Sequence, residues 1–411
     1  MKLRERLQWS KQRTYLLASP LIALLSLAFS FVYSRDLGPQ NRGVLGVIFL
    51  ANVLFTAIAL GGLNLTFRSH QTPIDSNSHG AAFCVLSGVG ALSGAIFVFV
   101  LSSIYSLFKS QVPSNLLFMA ACYALISIAL NQSFQILLSI NLIGVRWKLD
   151  LFAVFLQLVL YFSLDGISAF STAVNVLLSF IFSYIVNLLI TLVFLSTKSS
   201  FKISSIKVRV MVRELVSSSR NNFRYAALMG VLDRVDRLIV LVLFPTATFG
   251  FYAFTTGLMT STRFFPESIS AMVVAGKFKK VESHVHLSNT FQRILILVGS
   301  LLFGIISYKM TIFTFKTAEL ISITVPILFA FSEILRGAFV TRLSFEIGKY
   351  ESSLPTKAAS LTLILFIALS LITFDTFGLT AVPLVLGISY ATTMTIYKIL
   401  KMPNTTRDKR D

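Results

Sequence analysis

The chain is predicted to be an all-α polytopic membrane protein of about twelve transmembrane helices. Three observations predict this. Of its 411 residues 55% are hydrophobic and only 13% are charged, about half the charged share of a soluble domain. Runs long enough to cross a ~30 Å hydrocarbon core, about 20 residues each, recur from end to end. The basic residues also sort to one side once those runs are laid out as alternating crossings.

The first span is expected at 14–34, after a basic start. It is longer than a signal-peptide core of ~7–15 residues and lacks a small-x-small cleavage site before Arg35, so it reads as a retained helix. The rest are expected at 44–66, 81–104, 115–139, 150–166, 171–196, 223–244, 249–275, 291–312, 319–341, 357–375 and 378–397. Helix-breaking residues punctuate the connections: Leu37-Gly38-Pro39, Pro113-Ser114-Asn115, Asp165-Gly166, and Pro245 to Gly250. Gly88-Val89-Gly90 with Gly94 falls inside the third span, where close helix packing is a better reading than a nucleotide loop. The sequon Asn131-Gln132-Ser133 also lies within a span and is read as chance.

The 36 Lys and Arg outnumber the 17 Asp and Glu, for a formal charge of +19. In a soluble protein that would point to nucleic acid; here it reads as loop charge that orients the spans, and no nucleic-acid partner is expected. With the amino terminus inside, 25 of the 36 fall on cytoplasmic segments, five outside, and six within or at the ends of spans. Both termini are therefore expected in the cytoplasm. A rival parse with one span over 238–262 places Pro245 and Gly250 mid-helix and inverts every later positive charge, so it is disfavoured.

Twelve spans divide into lobes at 1–196 and 223–411, joined by a basic linker at 197–222. The linker's Lys207–Val216 portion suits either an amphipathic helix on an anionic leaflet or a solvated loop. Gly43 and Gly250 each sit at the head of the second span of a lobe, an echo consistent with repeated halves.

The most informative segment is Asp233-Arg234-Val235-Asp236-Arg237, inside the predicted seventh span. Four charges facing lipid would cost on the order of 10 kcal/mol, so the cluster is expected to face protein or a cavity. Asp233 and Arg237 are four apart and can pair on one helix face. Arg263 and Glu267 in the eighth span, and Glu333 and Arg336 in the tenth, are the expected partners. Arg35, Asp36 and Arg42 lie at the outer mouth. Together these six arginines and five acids are slightly cationic, and the guanidinium fork suits phosphate oxygens. The acids either hold the arginines apart or bind a coupling proton or sodium ion.

Other signals are weaker. Cys84 and Cys122 lie in apolar runs and suggest neither disulfide nor zinc. His284 and His286 read as solvated loop rather than metal site, and no GxxxxGK[ST] motif is present. No cofactor, metal or catalytic residue is expected. A glycosyltransferase or polysaccharide polymerase is disfavoured, because there is no Asp-x-Asp and no sizeable outer loop. A non-transporting scaffold is disfavoured by the buried charges.

The segment Arg35-Asp36-Leu37-Gly38-Pro39 followed by Gly43-Val44-Leu45, and Leu232-Asp233-Arg234 followed by Phe249-Gly250-Phe251-Tyr252, resemble the polysaccharide-transporter flippases. These belong to the multidrug/oligosaccharidyl-lipid/polysaccharide exporter superfamily. The resemblance implies a multi-pass transporter of the bacterial inner membrane, not an enzyme, with two six-helix lobes around a central cavity. It implies translocation of an undecaprenyl-pyrophosphate-linked oligosaccharide by alternating access, alongside a polymerase and chain-length machinery. Arg234, Arg237 and Arg263 fall where that family's cationic cavity is expected, although Asp233 and Asp236 depart from a purely cationic wall. The alternative within the superfamily is a cation-coupled multidrug exporter, whose substrates the arginines would repel.

Overall fold

A computed structural model describes residues 2–69, 76–109, 112–139, 143–167, 171–198, 205–260, 289–316, 321–347 and 353–401. Among these residues all regular structure is helical, and helix occupies the described part of each of the twelve predicted spans. The first two spans form one element, α1 (Lys2–Phe55), kinked at Gly38 with φ 67° and ψ 173°. Positive φ is easy only for glycine. Phe29 on the first arm and Phe49 on the second pack against the same ring, Phe180, at 5.5 and 5.4 Å. Twenty residues of straight helix would hold them ~30 Å apart, so the arms fold back beside each other. The second arm continues through a π turn (Thr56–Leu60) into α2 (Gly61–Ser69).

The amino-terminal lobe is completed by α3 (Ser76–Phe108), α4 (Ser114–Ser139), α5 (Ile143–Ile167) and α6 (Thr172–Lys198). The second lobe holds α7 (Ser205–Leu232), α8 (Val235–Leu243) and α9 (Thr246–Thr260). It continues with α10 (Asn289–Phe315), α11 (Thr324–Ile347), α12 (Ser353–Phe377) and α13 (Ala381–Lys401). Residues Val85, Val89, Leu92 and Ile96 of α3 are all exposed at helical spacing. Such an apolar outer stripe on a long helix suits a lipid-facing wall. Within the bundle, Thr191, Thr255, Thr256 and Thr362 return their hydroxyls to carbonyls one turn back, so these buried hydroxyls are satisfied.

The chain breaks where the twelve-span parse requires it. Phe244 is extended (φ −111°, ψ 161°) between α8 and α9, as the residue before a proline prefers. A single helix over 238–262 is therefore excluded. The basic linker is not a loop from Ser205 onward. It is the first half of α7, and Val208, Met211, Val212 and Leu215 form an apolar stripe. That stripe packs on an amino-terminal cluster with Leu63, Phe67 and Phe83, while Arg209, Arg213 and Arg220 stay exposed.

Glycines set how closely the lobes meet. A Cβ on Gly43 would overlap the Thr246 backbone oxygen, and one on Gly250 would overlap the Pro39 backbone oxygen. The two glycines that echo each other in sequence thus form one interlobe seam. Tyr105 and Thr246 share a hydroxyl hydrogen bond there (2.6 Å), and the Lys109 Nζ donates to the Val242 carbonyl (2.9 Å). Phe31 stacks on Phe313 at 5.6 Å across the lobes. At the far end of the same span, Gly61 and Gly62 lie against Ala226 and Phe223, and Asn222 Nδ2 donates to Thr66 (3.0 Å). In the third span, Gly90 and Gly94 approach Leu60, Ile128 and Phe55, which is the close helix packing expected there.

Candidate substrate cavity and charge network

The seventh span is broken at the charge cluster itself. Arg234 has φ −135° and ψ 0°, outside helical geometry, and α8 restarts at Val235. A helix start leaves backbone N–H groups without intrahelical partners and carries partial positive charge. Asp236 lies in that first turn, 1% exposed, and accepts a hydrogen bond from the Tyr252 hydroxyl at 3.0 Å. Arg234 turns back and donates from Nη1 to the Asp233 carbonyl (2.9 Å).

The Asp233 carboxylate receives Arg336 of α11 in a two-pronged contact. Nε donates to Oδ1 and Nη2 to Oδ2, both at 2.6 Å. The Arg336 side chain is 3% exposed and that of Asp233 22%. Glu333, one turn from Arg336, is also buried, and both it and Arg237 act electrostatically on Tyr252. Three acids (Asp233, Asp236, Glu333) and three arginines (Arg234, Arg237, Arg336) thus lie on the broken span and α11, equal in number and opposite in charge. For Arg336 to hold a substrate, its pair with Asp233 would have to open. Arg263, Glu267, His284 and His286 lie outside the described residues.

The outer-mouth residues behave differently from one another. Arg35 is exposed. Asp36 accepts from the Tyr161 hydroxyl at 2.7 Å. Arg42 is buried at 6% exposure, its guanidinium carbon 5.2 Å from the Tyr33 ring centre. Its Nε and Nη1 are buried and make no hydrogen bond, and no carboxylate pairs with it among the described residues.

Tyr33 joins Arg42 to a feature that the sequence reading missed. The amino-terminal lobe holds a partly open cavity of about 650 Å³, lined by residues of α1, α2, α4, α5 and α6. Its polar lining is dominated by amides: Asn52, Asn64, Asn131, Gln135, Gln157 and Asn187. Rings of Phe29, Tyr33, Tyr123, Phe180 and Tyr184 form much of the rest. Arg146 and Asp150 also line it, Nε to Oδ2 at 3.5 Å, four residues apart on α5. Arg146 is therefore part of the fifth span rather than the loop before it, because α5 begins at Ile143. The missed signal was amide residues at helical spacing inside apolar runs, such as Asn131 with Gln135. No group of three or more His, Cys, Asp or Glu is placed to hold a metal among the described residues.

No family model matches the chain, and no curated protein matches it by sequence. Solved structures do match by fold. A mutant of the Vibrio cholerae MATE transporter VcmN superposes with a TM-score of 0.66 at 13% identity, covering 96% of this chain and 97% of that one. The eukaryotic MATE transporter AtDTX14 gives 0.63 at 15% identity, covering 97% of each. The lipid II flippase MurJ, in an inward closed conformation, gives 0.66 at 12% identity, covering 94% of this chain and 87% of that one. The chain therefore has the two-lobed, twelve-helix fold shared by MATE transporters and the MurJ flippase.

Proposed function

We propose that this chain is a flippase of the bacterial inner membrane. It carries an undecaprenyl-pyrophosphate-linked oligosaccharide, the repeat unit of an O-antigen, capsule or exopolysaccharide, between leaflets. The lobes 1–196 and 223–411 alternate access by rocking, with 197–222 between them and both termini cytoplasmic. Arg42 is the observation that carries the reading. A buried guanidinium without a counter-charge is destabilising by several kcal/mol. A diphosphate supplies both the charge and the acceptor oxygens that Nε and Nη1 lack. Arg42 lies over the ring of Tyr33, which lines a cavity of a size for a sugar headgroup, and the apolar tail stays in lipid. The exposed Arg35 is the proposed second contact for the same phosphates.

The charge-balanced set of Asp233, Asp236, Glu333, Arg234, Arg237 and Arg336 is suited to pairing and coupling. A proton or sodium ion taken up by its acids would loosen the Asp233–Arg336 contact between the broken span and α11. Arg237, Arg263 and Glu267 keep their proposed roles in substrate binding and charge pairing. A polysaccharide polymerase and chain-length machinery would receive the product outside.

The second reading, a cation-coupled multidrug exporter, is favoured by the likeness to MATE structures. Arg42 weighs against it, because an unpaired buried cation repels cationic drugs. Deletion of the gene, followed by analysis of lipid-linked sugars, tests the proposal. Sugar-lipid retained on the cytoplasmic leaflet is the expected result. Normal export with new sensitivity to cationic drugs would replace it with the second reading.

A further inference from the structure

We infer that the amino-terminal cavity seats an uncharged, polyhydroxylated headgroup, a neutral sugar, in preference to an acidic sugar. This rests on the flippase reading and names the class of glycan that the flippase selects. The lining has no net charge, because its base and acid, Arg146 and Asp150, face each other. What it offers instead is unpaired acceptors. Oδ1 of Asn52, Asn64 and Asn187 is buried and takes no hydrogen bond from the protein.

The amide of Asn187 is oriented by its own Nδ2, which donates to the Leu149 carbonyl at 2.9 Å, so its oxygen is the atom left over. Asn52 Nδ2 donates to Ser127 Oγ at 3.1 Å, and its Oδ1 takes no hydrogen bond from the protein. Buried acceptors without donors cost free energy until a donor reaches them. Sugar hydroxyls are donors. A uronate carboxylate has only acceptors and meets repulsion from the same oxygens. The rings of Phe29, Tyr33, Phe180 and Tyr184 add apolar walls against which a pyranose face packs. At about 650 Å³ the cavity lies within the ~300–1,000 Å³ range of pockets that enclose small ligands.

The test uses the full chain in nanodiscs and three probes. These are undecaprenyl diphosphate bearing a neutral hexose disaccharide, the same lipid bearing a hexuronate disaccharide, and the bare lipid. The neutral-glycan lipid is expected to bind at least about tenfold tighter than either of the others. Asn52→Leu and Asn64→Leu are each expected to shrink the ratio of neutral-glycan to bare-lipid affinity about tenfold. Asn187 is left intact because it also holds the α5 backbone. Equal affinity for neutral and uronate lipids, or an unchanged ratio in both variants, overturns the inference while leaving the flippase reading standing. Sodium alone producing the same thermal stabilisation as the glycan would assign the oxygens to an ion and also overturn it. A wild-type chain that binds none of the three lipids overturns the flippase reading itself.

Discussion

Breaking the Asp233–Arg336 pair tests whether the broken seventh span is held by charge. Asp233→Leu removes the carboxylate from a guanidinium whose side chain is 3% exposed. Removing one partner of a buried pair costs about 3–5 kcal/mol, mostly as an uncompensated buried charge. Arg336→Met leaves a carboxylate that is 22% exposed. Water can hydrate it in part, so the expected loss is smaller, about 1–3 kcal/mol. The double variant Asp233→Leu/Arg336→Met removes both charges and fills the space with apolar atoms. Such replacements are close to neutral or stabilising, so it is expected to be more stable than Asp233→Leu alone. With single losses that sum to about 4–8 kcal/mol and a double variant near neutral, the double-mutant cycle shows a coupling of at least about 4 kcal/mol. Unfolding of purified protein in mixed micelles by titration with sodium dodecyl sulfate measures all four corners. Additive losses, with the double variant as unstable as the two singles summed, would refute a paired role.

Tyr252→Phe deletes the donor to Asp236, a carboxylate 1% exposed, and is expected to lower stability by about 1–3 kcal/mol in the same titration. Gly250→Ala places a methyl against the Pro39 carbonyl. Because backbone meets backbone there, relief requires the seam to part, at about 1–3 kcal/mol; wild-type stability in this variant would show that the seam yields. Arg234→Ala and Arg237→Ala are expected to abolish export at unchanged protein level, measured as surface polysaccharide against membrane-fraction immunoblots. Full export in both would remove these residues from the working site.

Much of the architecture was legible because membrane spans obey simple constraints. Gly38-Pro39 and Phe244-Pro245 mark breaks because proline restricts the preceding residue. Asp233 to Arg237 stood out because charge in an apolar run requires protein or water around it. The pairing was less legible. Asp233 meets Arg336, 103 residues away, and spacing along one span does not encode which charge of a distant helix packs against it. The cavity was not read at all, since uncharged amides hardly change the hydropathy of a span. Asn52, Asn64 and Asn187 become informative only when folding brings α1, α2 and α6 around one space. Arg42 was placed at the mouth, but its burial and lack of counter-charge depend on packing against Tyr33.

Transbilayer movement of a fluorescent undecaprenyl-pyrophosphate glycan in proteoliposomes is the most direct measurement. Wild-type protein should move the lipid between leaflets. Arg42→Ala should abolish that movement while remaining folded by size-exclusion chromatography, and Arg42→Lys should restore part of it. Movement by Arg42→Ala at the wild-type rate, or none by the wild-type protein under a proton or sodium gradient, would contradict the account.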